Sequence, residues 1–231
     1  MRRSIAVLVV AAAGYGFSIG LQHSLRFACW NAVKFPFLIS LTGALCTAAY
    51  YLSSRFITRA LDLREVADLA VATYRDVAVL LASLTPLVLF LATTVRRPGR
   101  DDLGEYPLFL GLNVAFIAVS GCVALLREAR VLVTRHRLGR RRAALLLASW
   151  LGLSLFAGGQ CAWYLRPFFC PASITAPPLV EGTNPDYRGA RSIYEAVYHL
   201  LDPPPLPAGY VRHGSRQPPV ADPLERYPCL E

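Results

Sequence analysis

Five stretches of this chain contain no Asp, Glu, Lys, Arg or His: residues 4–22, 35–54, 77–95, 106–126 and 143–165. Each is between 19 and 23 residues long, and a hydrocarbon core about 30 Å thick takes roughly 20 apolar helical residues to cross. In hydrocarbon every backbone N–H and C=O must be paired within the segment, which a helix achieves and a lone strand does not. The pattern therefore predicts an all-α, polytopic membrane bundle of about five transmembrane helices. Composition agrees. Of the 231 residues 55% are hydrophobic and 17% charged, against about 25% charged in soluble domains. An ordinary soluble enzyme and a disordered chain are both excluded.

The charges between the stretches give an orientation, because Lys and Arg gather on the cytoplasmic side. Thirteen fall on one side: Arg2 and Arg3, four from Arg55 to Arg75, and seven from Arg127 to Arg142. The other side holds five, namely Arg26, Lys34, Arg96, Arg97 and Arg100. The amino terminus is expected in the cytoplasm and the carboxyl terminus outside. The net charge of +9 is accounted for by this bias without nucleic-acid binding. Arg2-Arg3 followed by an apolar run also reads as a signal peptide; the run continues to Leu21, which favours a retained span.

The connections carry further expectations. Residues 23–34 are expected as an external loop. In 62–74, Val66, Leu69, Ala70 and Thr73 recur at helical spacing, which predicts an amphipathic helix at the membrane interface running into the third span. Pro86 should kink that span. The arginine-rich connection from Arg127 to Arg142 reads either as a platform for anionic lipid headgroups or, more simply, as a topology anchor. Residues 166–231 form a proline-rich external tail, with one short helix expected at 191–201 that docks on the bundle or the membrane surface.

No catalytic, cofactor or metal constellation emerges. The spans hold no ionisable group, which argues against a proton-coupled pump or an intramembrane protease. His23, His136, His199 and His213 are scattered without ligand spacing. Cys29, Cys161, Cys170 and Cys229 fall at or beyond the outer face, where disulfides are permitted but no pairing follows from sequence. Gly16 and Gly20 form a small-residue face on the first helix that suits close helix packing, and Asn113 and Gln160 are expected to hydrogen-bond between helices.

The most distinctive stretch runs Gly158-Gly159-Gln160-Cys161-Ala162-Trp163-Tyr164-Leu165-Arg166-Pro167-Phe168. Physically it is a helix end, with an aromatic belt, an anchoring arginine and a terminating proline. It resembles the G-x-Q-x-x-W-x-L-R-P-F signature of a group of bacterial multi-pass inner-membrane proteins to which no activity is attached. In that group an N-x-Y-E-A-V helix follows, and Ser192-Ile193-Tyr194-Glu195-Ala196-Val197 is similar to it, with Ser192 in place of asparagine. The resemblance implies a shared fold and no catalytic role. Trp163, Arg166, Pro167, Tyr194 and Glu195 join Gly16, Gly20, Asn113 and Gln160 as candidate structural or interaction residues.

The functional expectation is a non-enzymatic membrane subunit or scaffold of an envelope assembly, with a protein partner or a homo-oligomer. The alternative is an oligomeric channel or transporter component. A lipid-acting enzyme at the outer face ranks third.

Overall fold

The computed structural model describes residues 2–58, 60–95 and 106–165, together with Phe168 and Ser192. Among them are six helices and no strand: α1 (Arg2–Gly20), α2 (Leu25–Ile57), α3 (Leu63–Ser83), α4 (Thr85–Thr94), α5 (Tyr106–Thr134) and α6 (Arg140–Tyr164). Helices α1, α2, α5 and α6 are each long and apolar enough to cross a membrane. Helices α3 and α4 make a fifth if taken as one bent span. The bend is 47° and falls beside Pro86 in the first turn of α4. Proline has no N–H to donate and its ring crowds the carbonyl four residues earlier. The backbone tightens there instead, with Leu84 N–H donating to Leu81 O at 3.0 Å. The chain is a helical bundle of the membrane-embedded kind.

Two connections differ from expectation. The external loop placed at 23–34 is mostly helix: α2 begins at Leu25, where Ser24 Oγ accepts the Phe27 N–H at 3.2 Å. Phe27, Ala28, Asn31, Lys34 and Phe35 then line one face, all buried. Arg26 and Lys34 disguise a helix that continues an amphipathic pattern past its apolar core. The result is 33 residues long, about 50 Å at 1.5 Å per residue, so it outruns a bilayer core. The arginine connection is equally short: α5 continues to Thr134 and α6 starts at Arg140. The turn between them closes through Leu138 N–H to Leu132 O at 3.1 Å, with Arg137 at φ 50°. Leu132 and Leu138 are buried in the bundle, covered by protein.

Segment 62–74 is helical and amphipathic, and its apolar face is covered by protein. Val66, Leu69 and Ala70 sit in a core with Tyr50 of α2, Leu132 of α5, and Leu146 and Trp150 of α6. A second core joins Ala12 and Tyr15 of α1 to Phe35 and Ile39 of α2, Ala78 and Leu81 of α3, Val88 of α4 and Phe109 of α5. Helix α1 packs between α2 and α3, α6 lies against α2, and α5 against α3. The tail helix expected at 191–201 and the remainder of the proline-rich tail, apart from Phe168 and Ser192, lie outside the described residues.

Candidate functional site

Gly16 and Gly20 stand where α1 meets α2. A Cβ on Gly16 would strike the Asn31 carbonyl oxygen and come within 2.6 Å of Phe35 Cβ. One on Gly20 would lie 2.5 Å from Ala28 Cα and 2.8 Å from Phe27 O. Removing the side chains lets the two backbones touch, so this small-residue face serves contact within one chain. Next to Gly16 in the chain, Tyr15 donates its hydroxyl hydrogen bond to Asn113 Oδ1 at 2.9 Å. Asn113 Nδ2 in turn reaches Phe109 O on its own helix at 2.8 Å. This link ties α1 to α5 across 98 residues of sequence.

The distinctive stretch at the end of α6 folds back onto α2. Gly158 approaches Thr42, at 3.4 Å from a notional Cβ to the methyl. Leu165 packs against the core of α1 and α2. Phe168 is buried at 8% exposure; its carbonyl accepts from Asn31 Nδ2 at 2.7 Å, and its ring meets Phe35 edge-on with centroids 6.2 Å apart. Lys34 Nζ lies 5.1 Å from the centre of the same ring. Asn31, Lys34 and Phe35 are thus the seat for the phenylalanine of the motif, a role hidden while they are read as loop.

Trp163 is half-buried, and Gln160 lines an apolar groove between α2 and α6. Its walls are Leu41, Leu45, Phe156, Ala157, Cys161 and Tyr164 with Leu165, enclosing about 410 Å³. Phe156 and Tyr164 are exposed at 63% and 60% on its rim. Gln160 Oε1 is buried and has no hydrogen-bond partner among the described residues. The interhelical bond expected of Asn113 is therefore present, whereas Gln160 leaves its oxygen unpaired. Arg166, Pro167, Tyr194 and Glu195 lie outside the described residues.

Sequence reasoning missed a charged cluster at the arginine-rich end. Asp76 of α3 accepts from Arg75 at 2.6 Å through Oδ1 and from Arg127 of α5 at 3.4 Å through Oδ2. Beside them Glu128 is buried at 5% exposure, with Oε2 lacking any hydrogen-bond partner. It lies two residues past the apolar stretch 106–126. A carboxylate there loses hydration that only one nearby guanidinium offsets. Residues 75, 76, 127 and 128 each border an apolar run, so each reads as an ordinary boundary charge; only the antiparallel contact of α3 with α5 brings them together.

A second polar knot joins α2, α3 and α6. The Tyr50 hydroxyl pairs with Ser154 and lies 3.3 Å from the Tyr74 hydroxyl, itself 3.3 Å from Ser154. Trp150 stacks on Tyr50 with ring centres 4.6 Å apart and donates its indole N–H to Ser53 at 3.1 Å. Satisfied hydroxyls of this kind hold helices in register. Cys29, Cys46, Cys122 and Cys161 are free thiols; Cys170 and Cys229 lie outside the described residues. No group of three or more potential metal ligands occurs among the described residues.

The arrangement defines a multi-helix bundle suited to a membrane, stapled by close backbone contact and a few buried polar links. No protein-family model, curated protein or solved structure matches the chain.

Proposed function

We propose that this protein is a non-enzymatic subunit or scaffold of a membrane assembly in a bacterial inner membrane. The observation that supports it is the groove between α2 and α6. It is apolar, about 410 Å³ in volume, and flanked by the exposed Leu45, Leu155, Phe156 and Tyr164. Among helices in lipid, association comes from van der Waals fit rather than from a hydrophobic force, and a groove of this size offers that fit to one partner helix. The arginine bias supports an amino terminus in the cytoplasm and a carboxyl terminus outside. Seven arginines around the α5–α6 turn then face the cytoplasmic leaflet, where they anchor the topology and attract anionic headgroups.

The test is the composition of the full-length protein purified in mild detergent, with and without Ala157→Trp, which fills the groove. The reading expects a discrete complex with a second protein that Ala157→Trp releases while the bundle stays folded. A protein that runs as a monomer in both forms would contradict it. A homo-oligomer would favour the second reading, a channel or transporter component. That reading draws its own support from the charged cluster of Asp76, Glu128, Arg75 and Arg127 next to a bent span.

A further inference from the structure

We propose that the contact between α3 and α5 is a proton-binding site, in which Glu128 holds the proton and the Arg75–Asp76–Arg127 bridge responds to its loss. Three observations carry this. Glu128 is 5% exposed and its Oε2 faces no donor, an arrangement that suits a neutral carboxylic acid and penalises an anion. The two guanidiniums that would neutralise an anion are already engaged by Asp76. The cluster is not sealed inside the bundle: Arg127 is 54% exposed and Asp76 17%, so the bridge beside Glu128 reaches the surface of the protein.

Around the site, helix α3 supplies Arg75 and Asp76, and α5 itself adds Arg127 and Arg130. Helix α6 opens at this end on Arg140, Arg141 and Arg142, after Arg135 and Arg137 of the turn; its following stretch 143–150 contains no ionisable residue, and neither does α4. Helix α1, which meets α5 at Tyr15, carries only Arg2 and Arg3. His136, 3.8 Å from Glu65, is the one histidine beside a carboxylate at this end among the described residues.

When Glu128 ionises, the proton leaves to water and a carboxylate remains beside Asp76. The two anions repel, and Glu128 competes for Arg75 and Arg127. Both effects pull against the bridge that joins α5 to α3. The sign of the pH dependence follows. A carboxylic acid that keeps its proton in the folded bundle, at a pH where the unfolded chain has released it, binds more protons folded than unfolded. Stability is therefore greatest on the acid side and falls as pH rises through the release of this proton.

The experiment is thermal unfolding of the full-length protein in detergent between about pH 5 and 9, with infrared difference spectra that report the protonated carboxyl directly. The wild type should lose stability as pH rises toward neutrality, with a carboxylic-acid carbonyl band that disappears over the same range. Glu128→Gln should be flat at the acid-side stability of the wild type and lack the band. His136→Gln should keep both. Asp76→Asn, which frees both arginines for Glu128, should move the disappearance of the band to lower pH. This last comparison stands even where Glu128→Gln does not fold. Absence of the band in the wild type, a band that Asp76→Asn leaves unmoved, or a pH dependence that His136→Gln removes and Glu128→Gln retains would each overturn the proposal.

Discussion

Gly16 and Gly20 let α1 and α2 touch backbone to backbone, whereas Gly14 on the same helix has nothing within 4 Å of a notional Cβ. The two cases should separate cleanly. Gly16→Leu forces the helices apart and should cost about 1–3 kcal/mol, as overpacking does elsewhere; Gly14→Leu should be close to neutral. Unfolding in detergent measures both, and equal effects would mean that the α1–α2 contact is not where the strain falls. Tyr15→Phe removes the bond to Asn113 and should cost about 0.6–1.7 kcal/mol, the range for hydrogen bonds between membrane helices. The glycines were legible in sequence because four-residue spacing puts them on one face whatever the partner. Glu128 was not. It stands between Arg127 and Arg130, where an acid looks solvated, and its burial depends on α3 arriving from some fifty residues away.

Helix α3 shows how a pattern can be read correctly and its partner missed. The 3.6-residue period of Val66, Leu69, Ala70 and Thr73 reports a helix with one apolar face, and periodicity is silent about what covers that face. Lipid headgroups were one answer; the structure supplies α2, α5 and α6. Thiol labelling distinguishes them in a chain whose exposed Cys29 and Cys122 are replaced. Val66→Cys should resist a polar thiol reagent while the exposed Arg64→Cys reacts. Equal labelling would return the segment to the membrane surface. The same core predicts that Trp150→Ala, which deletes a side chain 1% exposed and stacked on Tyr50, costs about 3–5 kcal/mol. Element ends were the least legible, since the ends of α2 and α5 carry Arg26, Lys34, Arg127 and Arg130 inside helices. Charge marks where an apolar run stops and not where a helix does.

At the scale of the whole molecule, the number of crossings rests on one element. Four helices are long and apolar enough to cross, and an even number of crossings would leave both termini on the same side. The bent pair α3–α4 decides the parity. Taken as one span, its upper part matches the charge-free stretch 77–95, and the arginine bias then falls on a single side. The most direct measurement is a paired topology reporter in the native membrane, one inserted after Gly139 in the α5–α6 turn and one fused after Glu231. Five crossings predict that the Gly139 reporter is active only in the cytoplasm and the Glu231 reporter only outside. If both are active in the cytoplasm, α6 does not carry the chain across and the five-span account is wrong. If Gly139 reports outside and Glu231 inside, α3–α4 re-enters rather than crosses, and four crossings replace five.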